Sequence, residues 1–316
     1  MKKFLLSAIT IIAAGTFVSC KQNGDGNDNT KPNRRVEVNF TSNITKIDTP
    51  QTKAVDTEWD ENDEIGIFMF EESANNIVER KSNIKYYTVS GGENGLFVPD
   101  DEVIYFPDNG DKVRFMSYYP HTAAIDEFVY KVDVSDQSKQ YEIDLLHSFD
   151  TDTKYDKNSP GKKVSLMFDH KLTKININIK PGDGLTDDDI ENTVVTFNGF
   201  NTKADFNLIS GALSDQSAKA IITPLKISAA NNYKLSFESI VLPVVNSNDA
   251  TIVFDLNNGD TGEGIENDLF TWKFGTEELE GGYEYLFNVT IKRSGIVVEA
   301  EIKPWVEGDI TDIDAE

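Results

Sequence analysis

The chain has 316 residues, including 30 Lys and Arg, 54 Asp and Glu, three His and one Cys. Its formal net charge of −24 excludes most nucleic-acid partners, because a phosphate backbone repels an acidic surface. The single Cys excludes an internal disulfide, a cysteine-based zinc site and an iron–sulfur cluster. The length and a hydrophobic content of 39% predict real cores and about two domains.

The N-terminus has the pattern of a secretory signal. Lys2 and Lys3 precede an apolar stretch from Phe4 to Val18, which is shorter than the roughly 20 residues of a spanning helix. The sequence Phe-Val-Ser-Cys that ends at Cys20 resembles a bacterial lipobox, in which the cysteine is acylated and becomes the first mature residue. We therefore predict a lipoprotein signal peptide over 1–19 and a lipid anchor, such as palmitate, at Cys20. The alternative is a plain signal peptide cut nearby.

A polar segment rich in Gly, Asn and Asp follows Cys20. This composition offers little apolar surface to bury, so we predict a flexible tether over 20–35. Acidic residues soon after a lipidated cysteine resemble the surface-export signal of Bacteroidetes lipoproteins. This resemblance implies a surface-exposed lipoprotein of the outer membrane.

Beyond the tether, short apolar runs alternate with polar residues at a period of two, as half-buried strands do. Turn signals rich in Gly and Asn separate the runs, and no long helical stripe occurs. The predicted strands are Val36–Thr41, Ile65–Phe70, Lys85–Val89, Val103–Phe106, Val113–Tyr119, Phe128–Val134, Tyr141–Leu146, Val164–Phe168, Ile175–Ile179, Val194–Phe200, Ala204–Leu208, Ala220–Thr223, Tyr233–Val245, Thr251–Leu256, Tyr283–Ile291 and Ile296–Ile302. This pattern predicts an all-β fold of antiparallel sandwiches or barrels.

The sequence Lys-Pro-Gly-Asp-Gly at 180–184 is the predicted domain boundary, because Pro and Gly interrupt the strand pattern near the middle of the chain. It divides the body into an N-terminal β-sandwich domain at 36–181 and a C-terminal β-sandwich domain at 182–316.

Five segments carry a family resemblance through their order and spacing. They are Thr52–Ala54 with the run Trp59–Phe68, the aromatic strand Phe115–Pro120, Leu166–Ile175, Gly281–Tyr285 and Ile302–Asp309. Together they resemble the fimbrillin family of Bacteroidales, the subunits of protease-assembled (type V) fimbriae. Asn62 stands where the family usually has Gly, and Lys53 where it has Arg.

The resemblance implies two transthyretin-like antiparallel β-sandwich domains in tandem. It also implies a lipidated pilus subunit that supports cell adhesion. Apart from the resemblance, the sequence predicts no catalytic residues, cofactor or metal. A processing protease would remove an early strand, and a strand from another fimbrial subunit would take its place by donor-strand exchange.

The candidate for the removed strand is Val36–Thr41, whose apolar residues alternate with polar ones. The family's protease cuts after Arg, and the candidate processing positions are Arg35, Lys46 and Lys53. A cut after Arg35 would detach the lipid but leave the strand, whereas a cut after Lys53 would remove both. The short acidic stretch Asp309–Glu316 does not resemble a donated strand, so we expect an anchor, tip or accessory position.

The alternative function is a monomeric surface lipoprotein that binds glycans or host matrix. Trp272 is its candidate ligand contact, since Trp272 lies between polar residues, whereas Trp59 and Trp305 lie in the family segments and are predicted to be core. The three histidines, His121, His147 and His170, lack the spacing of a metal site. The hydrolase, zincin and P-loop motifs are missing from the sequence, so no enzyme is predicted.

Overall fold

The computed structural model describes residues 35–44, 58–245, 249–256, 269–275 and 278–305. The predicted signal peptide over 1–19, Cys20, Lys46 and Lys53 lie outside these ranges, as does the predicted tether apart from Arg35. Within the described ranges, no helix is long and apolar enough to cross a membrane.

The first half of the body consists of short strands with one helical turn, α1 (Gln140–Ile143), and a 3-10 turn, Pro160–Lys162. The strands are β1 (Asn39–Ile44), β2 (Glu64–Glu71), β3 (Ile84–Thr88), β4 (Asn94–Pro99), β5 (Val113–Tyr119), β6 (Val129–Asp133), β7 (Leu146–Phe149) and β8 (Lys163–His170). All of them except β6 close a barrel in the order β1-β4-β3-β2-β5-β7-β8.

In the second half, the described residues form one helical turn, α2 (Asp187–Ile190), and ten further strands. They are β9 (Thr173–Pro181), β10 (Val194–Asn198), β11 (Asn201–Asn207), β12 (Ala212–Lys219), β13 (Leu225–Ile227), β14 (Leu235–Val241), β15 (Thr251–Asp255), β16 (Leu269–Lys273), β17 (Tyr283–Lys292) and β18 (Gly295–Pro304). They form the sheets β13-β14-β9-β17-β18 and β10-β15-β16, and β6 joins the sheet β12-β11-β6.

The prediction of an all-β fold is therefore confirmed, since strands dominate the described residues and the helical segments are single short turns. The tandem transthyretin-like arrangement and its boundary near Pro181 stay predictions. Sheet membership changes earlier in the chain than that boundary, because β9 pairs with β14 and β17. The pairing of β6 with β11 also links residues from the two predicted domains.

Three clusters of buried side chains fill the body. One lies inside the barrel, one lies among the sheets of the second half, and one joins the outer face of β2 and β5 to β6, β11 and β14. Strand β5 is buried on both faces, since Phe115 faces the first cluster whereas Met116 and Tyr118 face the third. Trp59 and Trp305 are 1% and 2% exposed, which confirms both as core.

Three of the predicted strands are wrong. Val103–Phe106 contributes one isolated bridge, from Tyr105 to Glu37, and no regular strand. Tyr141–Leu146 covers most of α1 and only the first residue of β7, because its residues from Tyr141 to Ile143 turn along the surface before Leu145 enters the core. Ala220–Thr223 likewise contributes one isolated bridge, from Ile222 to Phe197. Strands β4, β12, β13 and β16 were not predicted.

Candidate functional site

The first strand, β1, lies between β4 and β8 and closes the barrel. It pairs antiparallel with β4 over four residue pairs and parallel with β8 over six. Both backbone edges of β1 are therefore engaged. If β1 were absent, β4 and β8 would become free edges on either side of a groove.

The ladder continues N-terminal to the regular strand. The amide of Val38 donates to the carbonyl of Ile104 at 3.0 Å, and the amide of Phe106 donates to the carbonyl of Val36 at 2.9 Å. The predicted strand Val36–Thr41 is thus part of the sheet, and regular pairing extends beyond it to Ile44.

Side chains of the segment alternate between the barrel interior and the surface. The inward residues Val38, Phe40, Ser42 and Ile44 are between 0% and 4% exposed, and Asn39, Thr41 and Asn43 point outward. Burying the three apolar side chains stabilises the segment by roughly 5–9 kcal/mol, taking about 1.5–3 kcal/mol for each. The segment is held mainly by this apolar burial and by its two ladders.

Phe40 occupies the centre of the groove. Its ring packs edge-on against the rings of Tyr86 and Phe115, each at a centroid distance of 5.1 Å. The Tyr86 hydroxyl accepts a hydrogen bond from the amide of Ile104 at 2.8 Å, and burial raises the pKa of Tyr86 to about 12. The Phe40 pocket is therefore aromatic and uncharged at neutral pH.

Trp59 forms the far wall of the groove, directly after the segment 45–57. Its ring packs edge-on against Phe97, Tyr119 and Phe168 at centroid distances of 5.1, 5.6 and 5.1 Å. Its backbone pairs with Gly92 through hydrogen bonds of 3.0 and 2.8 Å. Since Trp59 follows Lys46 and Lys53 in the chain, a cut after either lysine would leave this wall in the body.

The turn after Trp59 explains one family feature. Asn62 has a φ of 71°, a left-handed conformation in which Gly is favoured and Asn is tolerated. Burial is the largest influence on the carboxyl of Asp63 and raises its pKa, and the Tyr119 hydroxyl donates to this carboxyl at 3.1 Å. Asn62 thus adopts the left-handed conformation at the position where the family usually has Gly, in the turn that follows Trp59.

Arg35 lies immediately before the strand segment and is engaged on several sides. Its guanidinium forms ion pairs with Glu79 and Asp108 and stacks over the Tyr105 ring at 4.8 Å. Glu79 and Asp108 belong to a cleft of about 670 Å³. Of the three candidate processing residues, Arg35 is the one that the described ranges include.

Trp272, the predicted ligand contact, lies half-buried on β16. Its ring lies 4.5 Å from the Phe274 ring and 4.7 Å from the Phe287 ring, against the core of the second half. A ligand could reach only the remaining surface, and the role of Trp272 as a ligand contact stays a prediction.

The three histidines lie in separate places. His170 stacks on Trp305 at a centroid distance of 4.1 Å, His147 bonds the carbonyl of Leu208, and His121 lies near Tyr118. Among the described residues, no three His, Cys, Asp or Glu side chains are grouped as shared metal ligands.

The sequence analysis did not predict strand β4, and it did not predict that β4 and β8 flank β1. Strand β4 begins with Asn94 and Gly95, a dipeptide typical of turns, so it was not predicted. The parallel partnership of β1 and β8 joins residues that are far apart in sequence. The alternation in Asn94–Pro99, where Gly95 and Phe97 are buried, is the signal that could have indicated a strand.

Comparisons with known proteins concern the family and the fold of the chain. A model of a fimbrillin-like family matches residues 52–305. A protein of Bacteroides uniformis named as a fimbrium subunit, Fim1C, is 31% identical over 316 residues, which cover 98% of this chain and 97% of the relative.

Solved structures with a similar fold are also known. A crystal structure from Bacteroides uniformis, of a protein described as a cell adhesion protein, has a TM-score of 0.70 and 29% identity, covering 88% of this chain and 100% of that chain. Another, from Bacteroides ovatus and described in the same way, has a TM-score of 0.65 and 21% identity, covering 87% and 100%.

The all-β fold, the family model and the full-length relative place the chain in the class of fimbrial proteins. The chain belongs to the fimbrillin-like family, which confirms the resemblance inferred from the five segments. Membership of this family implies a location in fimbriae at the cell surface and assembly with other fimbrial subunits.

Proposed function

We propose that the chain is a fimbrial subunit that loses β1 by proteolysis and then receives a strand from another subunit in its place. The observation that carries this proposal is the position of β1, which closes the barrel with both edges paired and its inward side chains buried. Removal of β1 would expose unpaired N–H and C=O groups on β4 and β8, which an added strand satisfies.

We further propose that the precursor is an outer-membrane lipoprotein acylated at Cys20, on the basis of its sequence. Cys20, the tether and β1 all precede the segment 45–57. A single cut within that segment would therefore free the body from the lipid anchor and from β1 together. Processing would in this way couple release from the membrane to opening of the groove.

The contacts of Arg35 favour a cut within 45–57 over a cut after Arg35. A protease that recognises Arg must take the guanidinium into its own pocket, and here Glu79, Asp108 and Tyr105 hold it. The backbone that follows is also paired, through the carbonyl of Val36. Local unfolding would have to break both sets of contacts before cleavage.

Removing the acidic partners is expected to speed cleavage after Arg35. In the double variant Glu79→Gln with Asp108→Asn, cleavage by an Arg-specific protease should be roughly fivefold faster, since exposed ion pairs contribute about 0.2–1 kcal/mol each. Mass spectrometry of the fragments over time measures this rate. The matched control is Glu72→Gln with Asp111→Asn, two carboxylates of the same cleft outside these ion pairs. Equal rates in the two double variants would contradict the proposed protection.

Strand exchange can be tested on the full chain with a specific protease recognition sequence placed in the segment 45–57. After the cut, a labelled peptide with the sequence of residues 36–44 should replace β1 when incubated in mild denaturant, and the uncut chain should not take it up. Fluorescence anisotropy and native mass spectrometry measure the uptake. If the cut chain neither takes up the peptide nor associates with other subunits, the proposal fails.

The expected anchor, tip or accessory position has a separate readout in the same experiment. A subunit that accepts a strand without donating one forms complexes of limited size with a donor subunit. A subunit that does both forms chains, which size-exclusion chromatography separates from the limited complexes.

A further inference from the structure

We infer that the groove selects its incoming strand by size at one position, accepting only a small side chain where Ser42 lies. This inference rests on the proposed strand exchange and specifies the partner that the groove would accept. The partner is an extended segment with an aliphatic residue at the Val38 position, an aromatic residue at the Phe40 position, a small residue at the Ser42 position and an aliphatic residue at the Ile44 position.

The limit on size comes from the strand opposite Ser42. Ser42 is 0% exposed and pairs across the sheet with Gly95 on β4. A Cβ atom added to Gly95 would lie 2.7 Å from Ser42 Oγ, 2.8 Å from the Phe97 ring and 2.9 Å from the Trp59 ring. Real Cβ atoms essentially never make such close contacts, so the space that Ser42 and the two rings leave beside Gly95 is too small even for a methyl group.

The walls of this pocket cannot easily move aside. The Trp59 ring is braced by Phe97, Tyr119 and Phe168, all in edge-on contact, and Trp59 is 1% exposed. On the other side Ser42 pairs with Leu166 of β8, which is 2% exposed. Close-packed interiors resist added methylene groups, because neighbouring side chains must leave their preferred rotamers.

The hydroxyl of Ser42 does not account for the choice of residue. Ser42 Oγ is buried and has no hydrogen-bond partner among the described residues. A buried hydroxyl without a partner costs free energy, whereas an alanine methyl does not. The pocket therefore discriminates by volume, and alanine should fit at least as well as serine.

The neighbouring pocket has the opposite preference. Phe40 lies between the rings of Tyr86 and Phe115, and it pairs with Phe97 and Val164 on its two sides. A small residue there would leave a cavity, which is costly in a packed core. Large and small pockets in succession along one groove fix the register of the incoming strand, since a shift of two residues would place an aromatic ring at the Ser42 position.

All of the pocket walls stay in the body after a cut in the segment 45–57. Trp59, Gly95, Phe97 and Leu166 follow that segment in the chain. The selectivity is therefore a property of the processed subunit and does not depend on β1 itself.

The test uses the cut full chain and competing peptides with the sequence of residues 36–44. The Ser42→Ala peptide should bind as tightly as the unchanged peptide or more tightly, and the Ser42→Leu peptide should bind at least about tenfold more weakly. The matched control is the Thr41→Leu peptide, which adds comparable bulk on the outward face and should stay within about threefold. Because the changes are in the peptide, folding of the body does not affect the comparison.

Each outcome of this competition decides one question. Equal binding of the Ser42→Leu and unchanged peptides overturns selection by size, and a large loss with Ser42→Ala overturns the conclusion that the hydroxyl is not used. If the unchanged peptide itself does not bind, strand exchange fails, which is a failure of the proposed function and separate from selectivity.

Discussion

Replacing Phe40 with alanine is expected to lower the free energy of unfolding of the full chain by about 3–5 kcal/mol. Phe40 is 0% exposed, and its ring contacts the rings of Tyr86 and Phe115 inside a closed barrel. The substitution removes buried apolar surface and leaves a cavity that the surrounding rings cannot fill without moving. Equilibrium unfolding in urea, followed by tryptophan fluorescence, measures the loss.

The matched control for this prediction is Thr41→Ala on the same strand, whose side chain points outward. It should change the free energy of unfolding by less than about 1 kcal/mol, because outward positions away from caps and networks tolerate substitution. If Phe40→Ala were as mild as Thr41→Ala, β1 would contribute little to the barrel core. Its replacement by another strand would then have no apolar driving force.

The same packing argument explains which parts of the fold were predictable. Strand β1 could be predicted from local alternation, since Val38 and Phe40 face inward between polar neighbours. Strand β4 did not, because Gly95 looks like a turn residue until the side chains of Ser42 and Trp59 are known to fill the space beside it. The glycine satisfies a tertiary constraint, which a reading of local propensity cannot detect.

The wrongly predicted strands and the candidate site make a related point. Tyr141–Leu146 has the composition of a strand but begins as a helical turn, so that Tyr141 is 56% exposed and Leu145 is buried. The groove itself requires the parallel pairing of β1 with β8, between residues distant in the chain. Sequence periodicity gives strands and their inward faces, but it does not give their neighbours in a barrel.

His147 provides a prediction about acid stability. It is 6% exposed, its ring packs edge-on against Phe206 at 5.3 Å, and its Nε2 donates to the carbonyl of Leu208 at 2.8 Å. Burial is the largest influence on its pKa, which is lowered to about 4. Lys171 lowers the pKa further, and the hydrogen bond to Leu208 and the charge of Asp169 oppose the shift. His147 is therefore neutral in the folded protein at pH 5, where an unfolded chain would carry it protonated.

The sign of the effect follows from this difference in bound protons. The unfolded state takes up a proton below about pH 6.5 while the folded state does not, so stability is lost as the pH falls from 6.5 towards 4. At pH 5 the loss attributable to His147 should be about 2 kcal/mol relative to pH 7.5. Below pH 4 both states bind the proton, and this contribution stops growing.

The variant His147→Gln isolates this contribution, because a glutamine amide can still donate to the carbonyl of Leu208 but does not titrate. Urea unfolding of both proteins at pH 7.5 and pH 5 gives four free energies, and groups common to both proteins cancel in their comparison. These groups include His121, whose pKa is also lowered by burial. The unchanged chain should lose about 2 kcal/mol more than the variant between the two pH values. Equal losses would mean that the His147 ring is hydrated or protonated in the folded barrel, contrary to its packing against Phe206.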